Sequence, residues 1–367
     1  MDFLESIGVT EDYLSGAPKP SVEPHCDDNN KRGYFSYSEI NKFMMCQTNW
    51  YYHYIRKVRS PVTPALLIGG AVGSTFEHFN KQTMYHGFNK KGLLEKDFSD
   101  YGCTMFSNKY QEAAKEGTVD LEGETTSSCA QTITECLKAY HPYFVNATNV
   151  AAELELKGNI FPEINKDFVG YIDAIEFVDR GDISKRILSN LVDRKSYSDS
   201  DLARMTSLPG MIVYDYKTAK STGVSRYNKN CNDSMQLSLY LIGLLQLGFI
   251  KQFGNATEPS RAKLAMYDFY DEPVNLFLGY DVMVKKKGEV RRFISPVDFK
   301  KIKQMAVYIT RIVSQMESIR SSKDPISLTS RVEPASKDAW LCKPDRCPFY
   351  DLCHREASVF SFDIKKI

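Results

Sequence analysis

One apolar run of the sequence ends in an acid and a base: Met211-Ile212-Val213-Tyr214-Asp215-Tyr216-Lys217. Its length and β-branched content predict a buried strand. Because strand side chains alternate, Asp215 and Lys217 share the face of Met211 and Val213, while Tyr216 points away. An acid and a base on such a core-facing row form either a buried ion pair or part of a functional site.

Two strands are predicted upstream of this run, at residues 151–156 and 168–177. Asp173 lies on the apolar face of the second strand, beside Ile175 and Phe177. An ionised carboxylate there needs a partner, because burying an unpaired charge is costly. Two carboxylates and a lysine in one pocket would bind a divalent cation, with the lysine steadying a hydroxide or phosphate charge. A buried ion pair without catalysis is the alternative.

The next apolar segment, residues 235–247, is predicted as a helix buried nearly all round. Gln236 and Tyr240 are four residues apart and therefore share one face of it. A polar stripe on such a helix needs a polar group opposite, and the preceding strand offers Asp215. The alternative is a pair that is hydrogen-bonded only within the core.

Three short motifs follow one another along the chain: G-x-x-D at residues 170–173, D-x-K-T at 215–218 and Q-x-x-x-Y at 236–240. On a predicted strand, strand and helix, this order resembles the RecB-like nucleases of the PD-(D/E)XK superfamily. The resemblance implies an α/β fold with a restriction-endonuclease-like core, in which helices flank a mixed central sheet. A helical N-terminal region and a C-terminal cysteine cluster would elaborate that core.

The resemblance also implies a function, that of a metal-dependent DNA exonuclease, with single-strand or flap endonuclease activity as a further expectation. Asp173 and Asp215 would hold Mg²⁺ or Mn²⁺, assisted by the carbonyl of Tyr216. Lys217 would activate or orient water.

The remaining motif residues would serve the substrate. Gln236 and Tyr240 would position Lys217 or the backbone phosphate. Phosphate contacts are also expected from the three residues immediately after the strand, which are Lys220, Ser221 and Thr222.

One position departs from the family pattern. Relatives often carry G-x-x-x-H in the helix before the core, but Gly73 occupies the place of that histidine. The next turn offers Glu77 on the same face and His78 rotated away from it, and either residue would supply a metal ligand or neither would. Glu153 or Glu155 would match another acidic position of the family.

Three cysteines near the end of the chain, Cys342, Cys347 and Cys353, follow a C-x4-C-x5-C spacing. They are too few for a four-cysteine site, and Cys46 is the candidate for the fourth ligand. This arrangement resembles the iron–sulfur subset of the family, found in CRISPR-adaptation exonucleases and AddB-type nucleases, and implies a [4Fe–4S] cluster. Zinc would suit the same thiolates and is the alternative.

Composition and charge limit the expected partners and location of the protein. The chain has 367 residues and a formal net charge of +1, so no global positive field attracts nucleic acid and any DNA contact needs a local basic groove. No run approaches the roughly 20 apolar residues of a membrane span. The N-terminus lacks the features of a secretory signal. A cytoplasmic protein, not a secreted or membrane one, is therefore expected, and its cysteines are thiols or metal ligands.

The predicted organisation has four parts: a flexible lead-in (1–33), a helical region with Cys46 (34–150), the nuclease core (151–294) and a final helix with the cysteine cluster (295–367). DNA is the expected partner, as single strands or duplex ends. The absence of a G-x-x-x-x-G-K-[ST] motif means that unwinding would need a helicase or recombination partner. Two other classes stay open: a non-catalytic iron–sulfur subunit that binds or scaffolds DNA, and a redox protein. The resemblance implies a role in DNA repair, recombination or replication.

Overall fold

The computed structural model describes residues 33–58, 60–116, 119–252, 261–264, 273–321, 341–343, 346–350 and 353. Backbone contacts divide the chain into two units, Met1–Tyr34 and Phe35–Ile367, and the secondary structure of the described residues begins at Tyr34. The predicted lead-in, residues 1–33, lies outside the described residues except for its last residue.

The described residues contain nine α-helices. They are α1 (Tyr37–Met45), α2 (Gln47–Trp50), α3 (Pro64–His86), α4 (Glu95–Lys115), α5 (Thr126–Asn146), α6 (Ile183–Arg186), α7 (Asp199–Met205), α8 (Met235–Gln246) and α9 (Phe299–Arg320). A five-residue π-helical turn, Tyr51–Ile55, continues α2. The sequence also predicts helices around residues 65–85 and 129–143. These two and the helix predicted at 235–247 are confirmed, whereas α4 was not predicted.

The strands form one mixed sheet. They are β1 (Tyr34–Phe35), β2 (Asn149–Gly158), β3 (Asp167–Val178), β4 (Gly210–Ala219), β5 (Ile250–Gln252), β6 (Arg261–Leu264), β7 (Val274–Val284) and β8 (Glu289–Pro296). An antiparallel meander joins β2, β3 and β4; β7 then runs parallel to β4, and β8 and β6 pair antiparallel with β7. The predicted α/β class, a mixed sheet flanked by helices, is confirmed.

The parallel pairing of β4 with β7 explains the position of α8. Parallel neighbours need a crossover connection, and α8 lies in that connection. Leu237, Leu239 and Leu241 of α8 are fully buried against the face of β4 that carries Met211 and Val213. Every residue of β7 is buried, as expected for a strand covered on both faces.

Helices cover the other face of the sheet as well. α3, α4 and α5 share an apolar core built around Phe76, Phe98 and Phe144. α3 passes the end of β4, because an added Cβ at Gly69 would lie 3.7 Å from Oγ1 of Thr218. None of the helices in the part of the chain that the structure describes is both long and apolar enough to cross a membrane.

Three local predictions were wrong. Cys46 does not lie within a helix: its backbone is extended, it ends α1 and it begins α2. The sequence Ser36-Tyr37-Ser38-Glu39 predicts a capping box. Ser36 does cap α1, but the Glu39 carboxylate does not reach back to it. Glu39 is buried and instead accepts a 3.2 Å hydrogen bond from Nε1 of Trp50 and pairs with Arg320. The last helix begins at Phe299, because Ser295 still belongs to β8.

Candidate active site

The sheet opens between β3 and β4 at the motif residues. Backbone pairing of the two strands ends at Ala174 and Tyr214, while β4 continues to pair with β7 as far as Ala219. Beyond that point the Asp173 side chain takes the place of the ladder, and its Oδ2 accepts a 2.6 Å hydrogen bond from the backbone N–H of Tyr216. The opening places the Asp173 carboxylate beside the end of β4.

Asp215 is the centre of a polar network on the α8 side of the sheet. Its carboxylate is 1% exposed, and Nζ of Lys217 lies 2.5 Å from its Oδ2. Nε2 of Gln236 donates to Oδ1 of Asp215 at 2.7 Å and lies 2.8 Å from the Tyr240 hydroxyl, while Oε1 of Gln236 accepts from Lys217 at 3.1 Å. The strand and helix motifs therefore meet in one site, as the sequence predicted.

The pKa values of Asp173, Asp215 and Lys217 are all raised in this network. Burial raises the pKa of Asp173 well above its usual range, and the neighbouring Asp215 and Glu153 raise it further. Burial also raises the pKa of Asp215, which Lys217 only partly offsets. Burial acts to lower the pKa of Lys217, but the carboxylates of Asp215 and Asp173 outweigh it, so that its pKa is raised. Lys217 therefore stays protonated at neutral pH.

Of the two glutamates on β2, the structure places Glu153 at the site. Burial raises the pKa of Glu153 to about 7, with contributions from Glu77 and Asp215. Its backbone has a positive φ of 48°, a conformation that non-glycine residues rarely adopt. Glu155 is exposed and accepts a 2.9 Å hydrogen bond from the Tyr171 hydroxyl.

The side chains of Glu77 and His78 of α3 lie in different surroundings. Glu77 lies close enough to Glu153 to raise its pKa, and it pairs with Lys81 at 2.6 Å. His78 stacks on Tyr101 of α4, with 4.3 Å between ring centroids, and burial lowers its pKa to about 4. The geometry directs Glu77 to the acids and takes the His78 ring away from them, because the two residues point to different sides of α3.

The side chain of Tyr216 lies on the opposite face of the sheet, as its alternation predicted. It contacts Phe76 of α3 and Tyr140 of α5, with ring centroids 4.7 and 5.5 Å away. Only the backbone of Tyr216 faces Asp173, through its N–H group. The role of the Tyr216 carbonyl as a metal ligand stays a prediction.

The three residues expected to contact phosphate are not part of the acid network. Lys220, Ser221 and Thr222 are exposed beyond the end of β4 and line a separate cavity of about 490 Å³. The turn between β7 and β8 contributes Lys285, Lys286 and Lys287 to the same cavity. This lysine-lined cavity is called the basic cleft below.

The four predicted cysteine ligands line one small cavity: Cys46, Cys342, Cys347 and Cys353. Sγ of Cys46 accepts the backbone N–H of Asn49 at 3.4 Å, and the Asn49 side chain donates to Sγ of Cys347 at 3.8 Å. Burial raises the pKa of Cys347, and the nearby thiols of Cys46 and Cys342 raise it further. The break between α1 and α2 thus directs Cys46 towards the C-terminal cysteines.

Sequence reasoning missed a second charged network, on the other face of the sheet. Arg292 of β8 binds Asp281 of β7 with two 2.8 Å hydrogen bonds and also pairs with Glu176. The Tyr140 hydroxyl donates to Asp281 at 2.6 Å. An acid within the apolar run of β7 was the available signal. Its arginine and tyrosine partners satisfy Asp281, which marks this network as structural.

Tyr37 of α1 was missed as well. The pKa of Tyr37 is raised by burial, and its environment includes both Lys217 and Asp215. The residue therefore borders the acid network from the N-terminal helix. Nothing in its sequence neighbourhood distinguishes it from the other aromatic residues of that segment.

Within the described ranges, no group of three or more His, Cys, Asp or Glu side chains is arranged so that it would already hold a metal ion. Comparison of the sequence with models of known protein families and with curated proteins finds no match in either.

Proposed function

We propose that this protein is a metal-dependent nuclease that hydrolyses phosphodiester bonds in DNA. The observation that carries the proposal is the meeting of Asp173, Asp215 and Glu153 in one cluster, where Lys217 acts on the two aspartates and Lys81 acts on Glu153. Burial raises the pKa of each of the three carboxyl groups, and neighbouring carboxylates raise the pKa of Asp173 and Glu153 further. Such a group of oxygen ligands short of positive charge is stabilised by a bound divalent cation.

The order of elements supports the nuclease class. The acids lie on β3 and β4 of an antiparallel meander, and the glutamine and tyrosine lie on α8, in the crossover to a strand parallel to β4. The resemblance to the PD-(D/E)XK superfamily implies a mixed sheet flanked by helices, and this arrangement is compatible with it. A fold by itself does not define an activity, so the proposal depends on the side chains of the site.

The donor set fits Mg²⁺ or Mn²⁺. Asp173, Asp215 and Glu153 would hold the cation, with Glu77 within reach of the same cluster. All four ligands are carboxylates, which hard divalent cations prefer. Lys217 contacts Oδ2 of Asp215 in the present state, so cation binding would release the lysine from that oxygen. A cation bound there supplies Lewis-acid polarisation of the scissile phosphate.

The residues of the chain itself supply orientation and charge. Because Lys217 stays protonated, it acts as a hydrogen-bond donor to the attacking water or to a phosphate oxygen and does not take up a proton. Gln236 holds Lys217 through its Oε1, and Tyr240 fixes the Gln236 amide. Hydrolysis adds water across the P–O ester bond: the water oxygen bonds to phosphorus, the ester bond breaks, and the water's protons are shared between the leaving oxygen and solvent.

The cysteine cavity supports a second metal centre. Cys46, Cys342, Cys347 and Cys353 line one cavity, and four thiolates suit a [4Fe–4S] cluster or zinc. This centre would join α1 and α2 to the end of the chain and would contribute free energy of folding. No step of the hydrolysis involves it.

The test uses DNA labelled at one end and then at the other, as single strands and as duplexes, with Mg²⁺, Mn²⁺ or EDTA. The expected result is cleavage of at least one substrate with either cation, no cleavage in EDTA, and none by Asp215→Asn. A purified protein that binds DNA but cleaves neither form with either cation would instead support the non-catalytic subunit.

A further inference from the structure

The basic cleft is built where β4 and β7 end side by side. Ala219 pairs with Val284, and the backbone N–H of Lys285 donates to the Ala219 carbonyl at 2.8 Å. This pairing brings Lys220 next to the turn of Lys285, Lys286 and Lys287. The first turn of α3, at Pro64 and Ala65, lines the same cavity of about 490 Å³.

The charges of the cleft favour an anion. Four lysines and two glutamates, Glu122 and Glu124, line it, which leaves an excess of two positive charges (four minus two). Lys220, Lys286 and Lys287 are exposed, and no ion pair to any of the four lysines occurs among the described residues. The partial positive charge at the N-terminus of the 23-residue helix α3 adds to this field.

One face of α3 connects the basic cleft to the acids. Ala65, Gly69, Gly73 and Glu77 recur every four residues and therefore form one continuous ridge, which turns around the helix by about 40° at each step. Gly69 lies beside Thr218 of β4, and Glu77 lies near Glu153. An added Cβ at Gly73 would meet no described atom within 4 Å, so the helix surface is open at Gly73, between Thr218 at Gly69 and the acids near Glu77.

The length of this face suits a nucleic-acid strand. Twelve residues of helix separate Ala65 from Glu77, which corresponds to about 18 Å at about 1.5 Å per residue. That distance spans roughly five phosphates at the ~3.4 Å spacing of a stacked strand.

We propose that a single nucleic-acid strand binds with its backbone phosphates in the basic cleft, at Lys220, Lys286 and Lys287. The strand then runs along the Gly69–Gly73 face of α3 to the acids. This inference rests on the proposed nuclease function, because that function makes the acids at the end of the path a reaction site. The basic cleft is thus a remote strand-binding site, and the glycine face is the channel that joins it to the reaction site.

The test of the cleft is the triple variant Lys220→Gln, Lys286→Gln, Lys287→Gln. Its control, Lys185→Gln, Lys195→Gln, Lys303→Gln, changes the net charge equally at exposed lysines elsewhere. Binding of a fluorescent single-stranded oligonucleotide of about 20 nucleotides is measured by anisotropy in EDTA at several salt concentrations. We expect about a tenfold or greater loss of affinity and a salt slope shallower by about two, because each lost phosphate contact on a single strand removes ~0.7. The control triple should bind as the wild type does.

The test of the channel is Gly73→Leu, with Gly181→Leu as its control. Gly181 is exposed, and an added Cβ there also meets no described atom within 4 Å. Cleavage of the oligonucleotide with Mn²⁺ is compared with hydrolysis of bis(p-nitrophenyl) phosphate, a small diester that needs only the acids. Gly73→Leu should lower oligonucleotide cleavage about tenfold or more, the equivalent of ~1.4 kcal/mol, and change small-diester hydrolysis less than about twofold.

The inference would be overturned if the cleft triple variant kept the affinity and salt slope of the wild type. It would also be overturned if Gly73→Leu left oligonucleotide cleavage unchanged, or if either variant lost small-diester hydrolysis as strongly as oligonucleotide cleavage. A wild-type protein that hydrolyses neither substrate would contradict the proposed nuclease function. The anisotropy measurements would still decide whether the basic cleft binds a strand.

Discussion

The Asp173 carboxylate accepts a 2.6 Å hydrogen bond from the backbone N–H of Tyr216, across the gap where β3 and β4 stop pairing. A side chain thus replaces a ladder hydrogen bond at the point where β3 and β4 diverge, which is where the proposed substrate would enter. The bond fixes Asp173 to the backbone that separates Asp215 from Lys217, and it lowers the energetic cost of the buried carboxylate.

Replacing Lys217 by methionine should separate metal binding from catalysis. We expect DNA cleavage to fall by at least about 100-fold, or ~2.7 kcal/mol of transition-state energy, because the donor to water and phosphate is lost. Mn²⁺ affinity should stay or rise, because Lys217 no longer occupies Oδ2 of Asp215. Without metal, the unpaired buried Asp215 should lower the free energy of unfolding by about 3 kcal/mol. Lys229→Met, at an exposed position, is the control, and wild-type cleavage by Lys217→Met would contradict the assigned role.

Gln236→Leu should lower the cleavage rate by about 10- to 100-fold without abolishing it, because Gln236 orients Asp215 and Lys217 but is not expected to touch the substrate. The loss should appear in kcat more than in KM. Gln246→Leu, at the exposed end of the same helix, should behave like the wild type. Equal rates for the two variants would show that the amide is only a core residue.

The sequence predicted much of this site, because its motifs lie on elements with strong periodicity. Asp215, Lys217 and Gln236 were placed together from strand alternation and the four-residue spacing of a helix, and the structure brings them into contact. The choice of Glu153 over Glu155 was not predictable. It depends on the positive φ of Glu153, which a strict alternation of side chains does not anticipate.

Cys46 lines the same cavity as the three C-terminal cysteines, but the local structure predicted for it was wrong. Its position depends on tertiary contacts, because its thiol caps α2 and Asn49 joins it to Cys347. The Arg292–Asp281 network was missed for a related reason: its members come from distant strands, and no local pattern pairs them.

Serine at any one of Cys46, Cys342, Cys347 or Cys353 should remove the second metal centre and lower the melting temperature, because metal binding at this site is coupled to folding. Cys103→Ser is the control, since that thiol lies elsewhere and contacts Thr134. Anaerobically purified wild type should show a broad absorption near about 400 nm if the metal is an iron–sulfur cluster. A colourless protein with one zinc would keep the four ligands and refute iron, and unchanged metal content in Cys46→Ser would contradict the site.

Lys90 gives a pH-dependent test of stability far from the acids. It is 9% exposed, and burial lowers its pKa to about 8, with Glu176 acting in the opposite direction. Below pH 8 both the folded and unfolded states hold the proton, so the full burial penalty applies. Between about pH 8 and 10.5 only the unfolded state holds it, and this term therefore makes stability rise with pH.

Lys90→Met should remove that penalty and raise the free energy of unfolding at pH 7 by roughly 1–3 kcal/mol. Urea unfolding at about pH 7 and 9.5 measures the effect, and the gain over the wild type should shrink at the higher pH. The neighbouring exposed Lys91→Met serves as control. A destabilised Lys90→Met would show that the ammonium is needed for its electrostatic attraction to Glu176 and its contact with the Phe144 ring.

The most direct test of the central claim is titration of Mn²⁺ followed by electron paramagnetic resonance, with wild type, Asp173→Asn and Glu153→Gln. Asp179→Asn and Glu163→Gln serve as controls, because they neutralise exposed carboxylates outside the cluster. We expect at least one bound Mn²⁺ in the wild type and in both controls. The two cluster variants should lose Mn²⁺ affinity by about tenfold or more. Equal Mn²⁺ binding by the wild type and Asp173→Asn would contradict the central claim.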